Sequence, residues 1–184
     1  MWRGTCGRDK KLTVNKKFME QFMSEAFIEA KSVLEAGEVP VGCIFLYHGD
    51  GKNEVIARAG NNVNATKNAT RHAEFLCIDQ TLEFCTRNSL SIKDVFSKIS
   101  VVVTVEPCIM CSAALHDLGV KEILYGCAND RFGGKTLVDV PFVTNRRDGQ
   151  TQVNGGVCAD EAMALLKDFY KGDNPSAPIT KTKR

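Results

Sequence analysis

The chain has 184 residues, a formal net charge of +2, 43% hydrophobic and 25% charged residues. That is ordinary for one globular domain with a real core, and it excludes a disordered or collagen-like chain. No run approaches the ~18 apolar residues of a membrane span, and the polar start Met1-Trp2-Arg3-Gly4 predicts no signal peptide. Eight cysteines without a secretion signal predict reduced thiols in the nucleus or cytoplasm. Residues 1–17 hold six Lys/Arg against one Asp, and residues 167–184 hold five against two Asp, so an acidic body lies between basic ends. Such ends suit a polyanion, although basic termini are often only solvated.

Residues 1–14 lack periodicity and read as a mobile basic segment, 15–171 as the folded domain, and 172–184 as a basic tail. From Asn15, the residues Phe18, Phe22, Met23, Ala26, Ala30 and Val33 recur at helical spacing, and Gly37 reads as the helix end. Val41 to Tyr47 and Val55 to Ala59 read as strands joined at His48-Gly49-Asp50-Gly51, where Asp-Gly suits a type I′ hairpin. His48 at that turn reads as a surface residue and not a ligand. Asn61 to Thr70 is an Asn/Thr-rich loop running into His72. Asn61 could hydrogen-bond the edge of a base or could satisfy local backbone instead.

A helix is predicted from Arg71 to about Asn88, with Cys77 and Cys85 as small buried apolar residues. Ser91 and Asp94 resemble a capping box for a short helix. Ile99 to Val105 is nearly all β-branched and reads as a strand covered on both faces. A second helix should open at Pro107, which suits a first helical position, and run to about Leu118. His116 near its end reads as a dipole partner or surface residue. Glu122 to Cys127 is another strand, Asn129 to Gly134 a Gly-ended loop, and Thr144 to Gly149 an exposed loop tip with Arg146 and Arg147. Gln150 to Asn154 reads as an edge strand and Asp160 to Tyr170 as a last amphipathic helix. This order predicts an α/β fold of three layers, with helices on both faces of a mixed five-stranded sheet.

The chemistry concentrates in Arg71-His72-Ala73-Glu74 and Glu106-Pro107-Cys108-Ile109-Met110-Cys111. One imidazole and two thiolates are good ligands for Zn²⁺, which takes such donors tetrahedrally and, with a fourth corner left to water, brings that water's pKa to about 7. Helix residues turn by about 100° each, so His72 and Glu74 can converge only beyond a helix end. The metal therefore belongs at two helix N-termini, where partial positive charge favours thiolates. His72, Cys108 and Cys111 are the candidate ligands and Glu74 the candidate proton carrier. His-x-Glu followed by Pro-Cys-x-x-Cys is the known signature of zinc nucleobase deaminases. A closed structural zinc with another cysteine would leave Glu74 without a role.

Three runs carry a resemblance: Glu38-Val-Pro-Val-Gly42, Asn68-Ala-Thr-Arg-His-Ala-Glu74 and Val105-Glu-Pro-Cys-Ile-Met-Cys111. Together they resemble the tRNA adenosine deaminases. Asn129-Asp-Arg-Phe-Gly-Gly134 and Leu166-Lys-Asp-Phe-Tyr-Lys171 are similar to the eukaryotic catalytic subunits of that family. The resemblance spans roughly residues 15–184. It implies a cytidine-deaminase-like fold, a Zn²⁺ cofactor, and hydrolytic deamination of adenosine to inosine at wobble position 34 of tRNA. It also implies a heterodimer with a related non-catalytic deaminase subunit. Carried over by position, His72, Cys108 and Cys111 hold the zinc, Glu74 shuttles protons, and Asn61 contacts base or ribose. Lys181, Lys183 and Arg184 would hold tRNA phosphates. Three rivals share parts of the pattern: a free nucleoside or nucleotide deaminase, a polynucleotide cytidine deaminase, and a non-catalytic scaffold with structural zinc. No aromatic-rich loop precedes Pro107 as the second would suggest, and Glu74 has no use in the third.

Overall fold

Six of the seven residues of Ile99–Val105 are β-branched, and each of the seven is buried. This strand is the axis of the sheet, because branched side chains fill a pleated surface covered from both sides. The computed structural model describes residues 8–49, 51, 53–144 and 151–171. Its strands are β1 (Gly42–Tyr47), β2 (Glu54–Gly60), β3 (Ile99–Val105), β4 (Glu122–Cys127) and β5 (Gln152–Asn154), in spatial order β2-β1-β3-β4-β5. β1 runs antiparallel to β2 and β3, whereas β3, β4 and β5 are mutually parallel neighbours. The predicted mixed five-stranded sheet is therefore present, with β5 as its edge.

Alternation along the strands splits the core in two. Cys43, Phe45, Val101, Val103 and Ile123 pack toward helices α3 (Ala73–Arg87) and α5 (Ile109–Leu118). Ile44, Leu46, Val102 and Leu124 pack toward helices α1 (Arg8–Glu35) and α7 (Ala159–Lys171). Each fully buried Val, Ile, Leu or Phe contributes about 1.5–3 kcal/mol by leaving water. Short helices α2 (Val63–Thr66), α4 (Ile92–Phe96) and α6 (Val140–Val143) complete the loops. As expected, Cys77 and Cys85 are buried among apolar neighbours, and Ser91 caps α4 by accepting from the Asp94 N–H at 3.4 Å. No helix among the described residues is long and apolar enough to cross a membrane.

Several boundaries differ from the sequence expectation. Helix α1 begins at Arg8 and not at Asn15. Residues 8–14 contain no Gly or Pro to stop a helix, but they lack the apolar spacing that would announce one. The β1–β2 connection is not a two-residue hairpin, since the last pair is Tyr47 with Glu54. His48 draws the chain away from the ladder by bonding Asn53 and the buried Ser100 on β3, at 2.6 Å each. The loop expected at Asn61–Thr70 contains α2. Residues 1–7, most of the Thr144–Gly149 loop and the 172–184 tail lie outside the described residues.

Helix α1 lies very close to the sheet at Gly42. A Cβ there would sit 2.0 Å from the Ala26 carbonyl oxygen and 2.6 Å from the Ala30 nitrogen. Backbone on both sides leaves no flexible atom to yield. Gly42→Ala is expected to push α1 off β1 and to cost about 3 kcal/mol, read as a lower urea midpoint with an unchanged slope.

Candidate metal centre and active site

Two helix N-termini meet at the C-terminal end of β3, where open α/β sheets carry their sites. His72 is the N-cap of α3, in extended conformation (φ −72°, ψ 156°), and Cys108 is the N-cap of α5 (φ −65°, ψ 169°). Cys111 is the third residue of α5. Pro107 therefore precedes the cap and is not the first helical residue. The cause is tertiary: Pro107 O accepts the Gly134 N–H at 3.0 Å, and Cys108 forms a β-bridge with Gly133. Those contacts keep the chain extended through Cys108 and delay the helix by two residues.

The three donors converge. Cys108 Sγ and Cys111 Sγ lie 3.6 and 3.5 Å from His72 Nδ1, and 3.6 Å from each other. Bonds of about 2.3 Å to sulfur and 2.0–2.1 Å to nitrogen in a tetrahedron put neighbouring donors about 3.5–3.8 Å apart. The triangle therefore fits Zn²⁺ in size and in donor chemistry. Among the described residues no fourth His, Cys, Asp or Glu joins the group, which disfavours a closed structural site. The hydrogen bond with Cys111 holds the Cys108 thiol down, to about 4, against its own burial and with help from His72. The same bond, added to burial, pushes Cys111 well above its ordinary range.

Glu74 is the second residue of α3 and only 3% exposed, yet it lines the same cavity as His72 and Cys108. Burial pushes its carboxyl up to about 7, the Cys108 charge adds to this, and its own N–H and the neighbouring His72 and Cys111 pull it back. The cavity holds about 1100 Å³. Val39, Val41 and Met110 give it apolar walls, Ala128–Phe132 form one side, and Lys167, Tyr170 and Lys171 of α7 complete its lining.

Asn61 lines the cavity too, but its Oδ1 accepts the Ala73 N–H at 3.0 Å. It thereby satisfies an orphan donor in the first turn of α3 and holds the His72 segment in place. His48 and His116 do not belong to the centre. His48 is engaged at the start of β3, and His116 sits in the last turn of α5. Lys181, Lys183 and Arg184 lie outside the described residues.

Glu106 was not singled out by sequence reasoning. It is 2% exposed and accepts four hydrogen bonds: from the N–H groups of Asn129 (2.9 Å), Lys135 (2.9 Å) and Thr136 (2.7 Å), and from the Thr136 hydroxyl (2.6 Å). Burial alone would raise its pKa, but these donors overcome it and hold the carboxyl below the usual range. The available signal was a carboxylate ending an otherwise apolar buried strand, where an ion persists only with partners.

This fold and this donor set define a zinc-dependent deaminase. Residues 16–127 match the family described as the cytidine and deoxycytidylate deaminase zinc-binding region. The chain is 46% identical over 168 residues to a tRNA-specific adenosine deaminase 2 of Xenopus tropicalis, covering 90% of this chain and 96% of that protein. It is 28% identical over 160 residues to a tRNA-specific adenosine deaminase of Streptococcus pyogenes, covering 87% and 88%. A chain solved in a study of A-to-I editing by tRNA:A34 deaminases at the wobble position of transfer RNA superposes with a TM-score of 0.67. It is 29% identical, and the match covers 79% of this chain and 99% of that one. The chain belongs to the cytidine and deoxycytidylate deaminase family and, within it, to the tRNA-specific adenosine deaminases.

Because the ligands also tie two helices together, metal binding should be coupled to stability. Cys111→Ala is expected to bring zinc from one per chain to near zero by elemental analysis. The same variant should unfold at a temperature several degrees lower than the zinc-loaded wild type.

Proposed function

We propose that the chain is a zinc-dependent hydrolase that deaminates adenosine to inosine at wobble position 34 of tRNA. The observation that carries this reading is Glu74, a buried carboxyl lining the cavity beside three metal donors that no fourth His, Cys, Asp or Glu joins among the described residues. A Zn²⁺ ion held by His72, Cys108 and Cys111 would acidify a water at its remaining corner. In the net reaction a C6–O bond forms, the C6–N bond to the amine breaks, and ammonia leaves. Glu74 takes the proton released by water and delivers it to N1 of the base. It then moves the hydroxyl proton to the departing amine. A carboxyl titrating near neutrality suits both directions of transfer.

A polynucleotide is favoured over a free nucleoside by the size and lining of the cavity. Its volume of about 1100 Å³ exceeds what one nucleoside needs. Tyr170 and Phe132, 68% and 64% exposed, offer stacking faces for flanking bases, and Arg131, Lys167 and Lys171 offer charge to phosphates. An anticodon base is already single-stranded and is cheap to flip. Asn61, with its oxygen committed to Ala73, would present its amide nitrogen to the base or ribose. Lys181, Lys183 and Arg184 would add phosphate contacts.

A related non-catalytic deaminase subunit as partner is supported by the exposed apolar side chains of Leu137 and Val143, before and at the end of α6. A reducing nuclear or cytoplasmic setting is supported by the thiols of Cys43, Cys77, Cys85 and Cys127, which are buried in the apolar core.

The direct test incubates the purified chain, with and without that partner, with an A34 anticodon RNA and sequences the product for A-to-I conversion. Adenosine, cytidine and deoxycytidylate are assayed alongside, and turnover of these alone would indicate the free-nucleoside reading. Glu74→Gln is expected to retain zinc while turnover falls by about 10²–10⁴-fold. Undiminished turnover would remove Glu74 from the mechanism.

A further inference from the structure

We infer that Glu106 is a positioning residue for this reaction: its carboxylate staples the 129–136 segment into the wall of the cavity against which the flipped base is held. The inference rests on the substrate reading above for what the wall holds, but the staple itself stands on geometry.

An ionised carboxylate offers about four acceptor positions. Glu106 has all four engaged. Oε2 takes the Asn129 N–H and the Thr136 hydroxyl, while Oε1 takes the N–H groups of Lys135 and Thr136. Both ends of the segment are thus tied to one anion, and the chain between them must loop outward. Within that stretch, Asp130, Arg131 and Phe132 line the cavity. The loop's shape is tightened by Asn129, whose Oδ1 accepts the Phe132 N–H at 3.1 Å and whose O accepts the Gly133 N–H at 2.8 Å.

The far side of the segment is locked to the metal helix. Phe132 O accepts the Ile109 N–H at 2.8 Å, an orphan donor in the first turn of α5. Gly133 presses on the carboxylate so closely that a Cβ would lie 2.5 Å from Glu106 Oε1. Gly134 presses on α5, where a Cβ would lie 2.3 Å from Ser112 Cβ. Glu106 lies two residues before Cys108 in the chain. One residue therefore sets the wall of the cavity relative to the metal ligands. It lines the cavity, but it is only 2% exposed and its carboxylate oxygens are taken up by the segment's own donors, so its effect on the reaction passes through the segment it holds.

The test uses Glu106→Gln, which keeps the shape but turns an amide NH2 toward N–H donors, and Thr136→Val, which removes one hydroxyl and leaves the fold's other bonds. Zinc content, kcat and KM on the A34 anticodon RNA, and hydrogen exchange of the 129–136 amides are measured for each. The expected result is full zinc, KM raised at least 10-fold in Glu106→Gln and about 3-fold in Thr136→Val, kcat within about 3-fold of wild type, and faster exchange confined to 129–136. Should Glu106→Gln fail to fold, the KM of Thr136→Val decides. Wild-type KM in a folded variant whose 129–136 amides exchange faster would overturn the inference, as would loss of zinc in parallel with activity. Unaltered amide exchange in both variants would overturn the staple itself. Wild-type turnover in the same assay judges the substrate reading separately; if the wild type leaves the RNA unconverted, that reading fails and amide exchange alone decides the staple.

Discussion

The structure depends on bringing the N-termini of two helices, α3 and α5, to one point at the end of β3. Helix N-termini expose orphan N–H groups and partial positive charge, and two of them facing each other would repel. What makes the meeting favourable is sulfur: Cys108, drawn toward the thiolate at the cap of one helix, and Cys111 a turn further in, with the imidazole from the cap of the other. The rest of the core serves this meeting. The β-branched strand β3 carries the chain straight to the site, α1 closes the opposite face through a glycine contact, and Asn61 holds the first turn of α3.

Around that point, three carboxyl and thiol environments are tuned in different directions by ordinary means. Glu74 lacks a cationic partner strong enough to offset burial, so its carboxyl rises toward neutrality and can carry a proton. Glu106, just as shielded from solvent, is surrounded by donors and stays ionised. Cys108 is drawn toward the thiolate by Cys111. The two glutamates differ in donors supplied and not in depth, and that difference separates a reactive carboxyl from a structural one.

How much of this was legible in the sequence follows the range of the forces involved. The i, i+2 spacing of His72 and Glu74 placed the metal beyond a helix end, and the structure puts His72 on the cap and Glu74 in the first turn. The continuous β-branched run predicted the buried central strand. Pro107 was misplaced relative to the helix because its neighbours are held extended by Gly133 and Gly134, which no local pattern reveals. Asn61 was left between two readings, and its acceptor is spoken for by Ala73, a contact between segments. Glu106, named in the second segment, was given no role because its donors are mainly backbone N–H groups far along the chain, and backbone leaves no residue-type signature. The β1–β2 loop failed for a related reason: His48 found Ser100 across the sheet, and that bond outweighed a local turn preference.

The central claim is that two sulfurs and one ring nitrogen hold a zinc ion whose remaining contact is not a protein side chain. X-ray absorption at the zinc edge of the metal-loaded chain reads the inner ligands directly. The account predicts two sulfur scatterers at about 2.3 Å and two light scatterers at about 2.0–2.1 Å, only one of which shows the outer-shell pattern of an imidazole. Three or more sulfurs, or two imidazole rings, would contradict it.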